Sequence, residues 1–151
     1  MTVCRDGATT PDPGRILVMG ILPISPDSFS GDGLLHADNA VSQAHEMVRL
    51  GAAIVDVGGA STRPGAVEVP PDVEASRVLP VIKQLTEDGI RVSVDTYRAA
   101  VAEAPLAAGA HLVNDVSGGR ADADMLPVIR DSGTPWVLSH WRAPSSRMME
   151  R

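Results

Sequence analysis

Five short polar segments hold the residues with chemical potential, and each follows an apolar run. Asp95 ends the run Val92–Val94. A carboxylate there can take paired hydrogen bonds from a ring bearing amidine-like N–H donors, or it can cap the helix that follows. Asn114-Asp115 follows His111–Val113 and offers a donor and an acceptor to a heterocycle edge; the same pair is equally typical of an Asx-turn. Ser61-Thr62-Arg63 stand between Gly58-Gly59 and Pro64-Gly65. The glycines allow close approach of backbone to a ligand, and Arg63 can hold a phosphate by charge-assisted hydrogen bonds or wave in solvent from a mobile loop. Ser25-Pro26-Asp27-Ser28-Phe29-Ser30 joins hydroxyls, a carboxylate and the one Phe of the chain. His140, in Ser139-His140-Trp141-Arg142, is a candidate general base or phosphate partner, or a structural residue at a strand end. There is no P-loop, no G-x-G-x-x-G and no zinc-type spacing.

Elements to position these segments can be read from periodicity. Apolar runs at Ile16–Leu22, Ala53–Val57, Ile90–Val94, His111–Val113 and Trp136–Leu138 predict strands. Amphipathic stretches at Ala37–Leu50, Pro71–Glu87, Tyr97–Ala108 and Ala123–Asp131 predict helices. Gly51, Gly89, Gly109 and Gly133 stop them. Pro105 predicts a kink in the third helix or a start near it. Strict alternation of strand and helix implies a parallel sheet, so all five polar ends share one rim, where α/β folds put their chemistry.

The bulk properties set limits. The chain has 151 residues, enough for one domain with a core, and a net charge of −6 without a basic stripe, which argues against a nucleic-acid partner. Cys4 is the only cysteine, so a reducing, cytoplasmic setting is expected. No apolar run approaches the length of a membrane span, and residues 1–15 lack the apolar stretch of a signal peptide. They read as a disordered tail before a domain over 16–151.

Taken in order, Ser-Pro-Asp-Ser-Phe-Ser (25–30), Asp-Val-Gly-Gly-Ala-Ser-Thr-Arg-Pro-Gly-Ala (56–66), Ser-Val-Asp-Thr-Tyr (93–97), Asn-Asp-Val-Ser-Gly-Gly (114–119) and the surroundings of His140 resemble the dihydropteroate synthases of the pterin-binding family, over about Ile16 to Arg142. The resemblance implies a parallel (β/α) barrel of the TIM type, here truncated to about five strands and four helices. It implies condensation of a pterin methyl diphosphate with 4-aminobenzoate, giving dihydropteroate and diphosphate in folate synthesis. Asp95 and Asn114 would hold the pterin ring, with Asp115 beside them. Thr62 and Arg63 would lie near substrate and diphosphate. Asp27 would stabilise a cationic intermediate, Pro26 and Phe29 would pack around the aminobenzoate, and His140 would face the diphosphate. Asp27, Asp95 and Arg63 are the implied catalytic set. Magnesium is the implied cofactor, but its family ligand, an Asn, is replaced here by Pro23. Ala60 stands for the family's usual Glu and Ser139 for its usual Met. A full barrel of about 250 residues is longer than this chain, so impaired turnover and self-association, or a homodimer, are expected.

Two other readings predict different outcomes. A non-catalytic pterin-binding module would keep Asp95 and Asn114 without turnover. An independent flavodoxin-like domain would show strand order 2-1-3-4-5, whereas part of a barrel shows 1-2-3-4-5.

Overall fold

A computed structural model describes residues 16–24, 33–61, 66 and 68–141 of the chain. Five strands, β1 (Met19–Pro23), β2 (Ile54–Gly58), β3 (Val92–Asp95), β4 (Leu112–Asp115) and β5 (Trp136–Leu138), alternate with four helices, α1 (Gly33–Arg49), α2 (Pro71–Glu87), α3 (Ala99–Ala107) and α4 (Met125–Ser132). All strand pairs are parallel, and the sheet order is β1-β2-β3-β4-β5. That order is the one expected of a barrel segment and removes the flavodoxin-like reading. Among the described residues no helix is long and apolar enough to cross a membrane.

The register assigns every strand residue to a face, because successive side chains alternate. One face bears Leu22, Val55, Val57, Val92, Val94 and Val113, all buried with Ala40, Ala44, Val78, Val81, Ile82, Leu85, Val101 and Ala102. This is the core, and the helices supply its other half. β-branched residues fill it because they suit a pleated surface covered by helices. Gly20 belongs to the same face: a Cβ there would sit 2.9 Å from the Met47 sulfur of α1. The opposite face bears Ile21, Asp56, Ser93, Asp95 and Asn114. It is the polar side, and Ile21 on it is 68% exposed.

The first three helices return the chain to the sheet through the same joint. α2 closes with Gly89 at φ 76°, whose N–H donates to the Thr86 carbonyl while Ile90 N–H donates to that of Leu85. This is the Schellman arrangement, with Ile90 covering Leu85. The same pair of bonds recurs at Gly51 after α1 and at Gly109 after α3. The third joint uses the carbonyl of Pro105 as acceptor for Ala110 N–H, so the proline sits in the last turn of α3. The helix begins six residues before it, at Ala99, rather than near it.

Several boundaries differ from the periodicity reading, among them the starts of β3 (Val92, not Ile90) and α4 (Met125, not Ala123) and the end of β4 (Asp115, not Val113). β1 starts at Met19 rather than Ile16, and α1 starts at Gly33, before Ala37. α3 starts at Ala99 because Thr96 and Arg98 are held in a side-chain network, described below, while Asp122 accepts the Ala99 N–H at 2.8 Å and satisfies the first turn from outside.

The turn after β4 packs without spare room. Gly119 has φ 78° and a Cβ there would lie 2.6 Å from the Trp136 ring. Gly119→Ala is therefore expected to cost about 2–3 kcal/mol by forced φ and overpacking. Urea unfolding should show a lower midpoint with the slope unchanged; an unshifted midpoint would show that the turn relaxes freely.

Candidate active site

The polar face gathers its residues at the carboxyl ends of β2, β3 and β4. Asp95 and Asn114 are register partners on adjacent strands, and Gly58 is the partner of Asp95 on its other side. A Cβ on Gly58 would come within 3.1 Å of Asp95 Oδ2, so the glycine leaves the space that the carboxylate occupies. The Asn114 side-chain amide donates to Asp56 Oδ2 at 2.8 Å. Asp56 is 2% exposed, and its other oxygen, like the hydroxyl of its buried register partner Ser93, has no hydrogen-bond partner among the described residues.

Asp95 is partly buried and surrounded by negative charge. Burial first, then the charges of Asp56, Glu74 and Asp115, push its carboxyl up to about 7. It is thus poised between the charged and neutral forms near physiological pH, a property that clusters at functional sites.

Asp115, one residue beyond Asn114, takes a different part. The pleat sends it to the helix-covered face, where it is fully buried. Its two oxygens accept the backbone N–H groups of Ser117 (2.8 Å) and Gly119 (2.7 Å). That is an Asx-type closure of the β4–α4 turn, and it occupies the carboxylate expected beside Asp95.

A buried ion pair fixes the turn that follows Asp95. Glu74, in the first turn of α2, is buried; one oxygen accepts the Thr96 hydroxyl at 2.7 Å and the other accepts Arg98 Nη1. Arg98 also donates to the Val69 carbonyl at 2.7 Å and to Glu68 at 3.0 Å, and its guanidinium lies 4.9 Å from the Tyr97 ring centre. The Thr96 N–H donates to the Asn114 carbonyl at 3.1 Å. Residues 68–69, α2 and the ends of β3 and β4 are therefore one connected unit. On the far side of the same loop, Arg77 donates to the Gly59 carbonyl at 2.8 Å.

His140 lies just past β5 and is exposed. Pro26, Asp27, Phe29, Thr62, Arg63 and Arg142 lie outside the described residues. The structure thus brings together Asp95 and Asn114 and sends Asp115 elsewhere. Asp56, which is absent from the residues expected at the site, completes the cluster.

Among the described residues the donor set does not fit a magnesium ion. Pro23, at the end of β1, has no side-chain oxygen to bind a hard cation. Among the described residues no group of three His, Cys, Asp or Glu side chains converges on one point.

Five strands and four helices in barrel order, with a near-neutral carboxylate and a fixed amide at adjacent strand ends, define a barrel-type protein with a hydrogen-bonding edge on its polar face. The profile described as "Pterin binding enzyme" matches residues 19–151, and the chain belongs to that family. It is 54% identical over 132 residues to the dihydropteroate synthase of Mycobacterium leprae, an alignment covering 87% of this chain and 46% of that one. Against the Bacillus subtilis dihydropteroate synthase it is 48% identical over 130 residues, covering 85% of this chain and 46% of the relative. Its fold is similar to the Yersinia pestis dihydropteroate synthase, solved with a sulfonamide drug complex (TM-score 0.86, 38% identity, 99% of this chain and 54% of that one). It is also similar to the Clostridium difficile enzyme solved with pteroic acid (TM-score 0.85, 44% identity, 89% and 52%). The chain spans about half the length of the relatives it matches.

Proposed function

We propose that this chain carries the pterin-recognising part of a dihydropteroate synthase site, and that the activity it serves is condensation of 6-hydroxymethyl-7,8-dihydropterin diphosphate with 4-aminobenzoate. The observation that carries the reading is the pair Asp95 and Asn114: a carboxylate titrating near neutrality and an amide held by Asp56, side by side on one face. Such a pair suits a flat heterocycle with adjacent ring and exocyclic N–H donors. Support comes from relatives solved with pteroic acid, with 4-aminobenzoic acid and with 7,8-dihydropteroate.

The remaining assignments belong to the same proposal. Asp95 in its charged form accepts ring N–H groups and favours positive charge developing on the pterin as diphosphate leaves. Thr62 and Arg63 serve the substrate and diphosphate, Asp27 the cation, Pro26 and Phe29 the aminobenzoate ring, and His140 the diphosphate. Asp115, committed to its own turn, holds Asn114 in register instead of touching the ring. The domain runs from residue 16 onward, and Cys4 as sole cysteine supports a cytoplasmic setting. Self-association or a homodimer is part of the proposal.

A second reading, a pterin-binding module without turnover, is favoured by Pro23, which supplies no side-chain donor where diphosphate chemistry would use one. One experiment separates the two. The 151-residue chain is titrated with 6-hydroxymethylpterin by calorimetry and assayed for dihydropteroate formation. Binding with product formation supports the synthase, binding alone supports the module, and no binding removes both.

A further inference from the structure

We propose that Asp56 is a specificity-determining positioning residue: by accepting the Asn114 amide it fixes which end of that side chain faces the ligand. The proposal rests on the pterin reading of the site above.

An asparagine side chain can present either a carbonyl acceptor or an NH2 donor, since the two ends exchange by a half-turn of the amide. By itself it reads a donor and an acceptor on a ligand equally well. The structure removes that freedom. Asn114 Nδ2 donates to Asp56 Oδ2 at 2.8 Å, and an ionised carboxylate only accepts. Turning the amide over would set the Asn114 carbonyl oxygen against the carboxylate, two acceptors at contact distance in a buried setting. Asn114 Oδ1 has no protein partner among the described residues and is left as an acceptor on the polar face. That face then offers two acceptors at neighbouring strand ends, the charged form of Asp95 and Asn114 Oδ1, while one of the two Asn114 Nδ2 hydrogens is held by Asp56. The pattern selects a heterocycle edge built from N–H groups and rejects one in which an exocyclic carbonyl replaces an exocyclic amine.

Asp56 itself is poorly served by the fold. It is 2% exposed, one oxygen and the neighbouring Ser93 hydroxyl have no partner, and no cation contacts it among the described residues. A buried carboxylate with a single hydrogen bond is a stability cost. Its contribution is then to recognition, and this separates the proposal from a purely structural role.

The test uses the 151-residue chain, with calorimetric affinities for 6-hydroxymethylpterin and for its 2,4-dioxo analogue, in which the amine is a carbonyl. The wild-type chain should prefer the pterin by about 100-fold or more, the range seen when a buried polar group is left facing the wrong partner. Asp56→Asn is isosteric and can either donate to or accept from Asn114, so it permits both amide orientations. It should bring the two affinities to within about tenfold, with thermal stability no lower than wild type. Asp56→Ala, measured alongside, should do the same. The ligand-free readout is hydrogen exchange of the Asn114 side-chain amide protons by 15N NMR, expected to be slower in wild type than in either variant. An unchanged ratio of affinities, or equal loss of both ligands with a lowered melting temperature, overturns the proposal. If neither bicycle binds the wild-type chain, the pterin reading fails, and amide exchange unaffected by both substitutions overturns the positioning role on its own.

Discussion

Replacing Asp95 with asparagine should weaken pterin binding by about 100- to 1,000-fold at pH 8, the loss of two charge-assisted hydrogen bonds at about 1.5–3 kcal/mol each, partly offset by the amide oxygen that remains. The wild-type affinity should itself depend on pH. Asp95 accepts N–H groups in its charged form, and burial beside Asp56, Glu74 and Asp115 raises its carboxyl to about 7. Below that pH a proton must leave before the ligand can bind, so affinity should rise about tenfold per unit up to pH 7 and level off above it. In the Asp95→Asn variant that slope should vanish. Stability should run the other way. The folded carboxyl holds its proton from pH 4 to 7, where the unfolded one, near 3.8, has lost it. The native state therefore binds more protons in this window, and stability falls as pH rises through it. The shift of about three units sets a ceiling of about 4 kcal/mol on the loss. Asp95→Asn should recover much of it at pH 8 and match wild type near pH 4. Calorimetry and urea melts across pH 4–9 measure both effects. Flat wild-type binding would show that Asp95 is not the ligand-binding group, and an Asp95→Asn protein no more stable at pH 8 than the wild type would show that its surroundings do not strain it.

The second large effect concerns the uncovered face. β1 and β5 each have a neighbour on one side only, leaving backbone donors and acceptors ready to pair with another chain. On the polar face Ile21 is 68% exposed and Val137 is 40% exposed. The 151-residue chain by itself should therefore associate at micromolar concentration, with a weight-average mass in sedimentation equilibrium well above one chain. Ile21→Lys with Val137→Lys places charge on that face without disturbing the helix-side core, and should weaken association by at least about tenfold, as for other charged edge devices. A monodisperse, single-chain wild-type sample would show that the face is tolerated in water.

Much of the fold is legible in the sequence because its signals are local. The apolar run before Asp95, the helix-stopping glycines and the alternation of strand and helix each lie within a few residues of the structure they specify. Asp95 and Asn114 are legible for the same reason, each directly following an apolar run. Asp56 is harder. It stands between Val55 and Val57 in β2, and a charge in the middle of a buried strand is the signal that marks it; what it holds, Asn114, is 58 residues away. Adjacency in number suggests that Asp115 joins Asn114 beside the ring, yet the two-residue pleat turns neighbours to opposite faces. The Glu74–Thr96–Arg98 network leaves no local trace, since its members are 22 and 24 residues apart, and only α2 packed beside the sheet brings them together.

Sheet order that equals chain order has a kinetic meaning. Each strand's partner is the next strand along the chain, separated by one helix and its joints, so no pairing waits for a distant segment to be synthesised or to diffuse home. Mean sequence separation of contacts stays low for a parallel sheet, and the entropy of loop closure is met in short steps. A unit such as β2–α2–β3 can dock on the one before it as soon as Gly89 turns the helix back. The edge left open at each stage then serves as the template for the next strand, so the exposure expected to invite association between folded copies is also the surface on which the growing sheet is assembled.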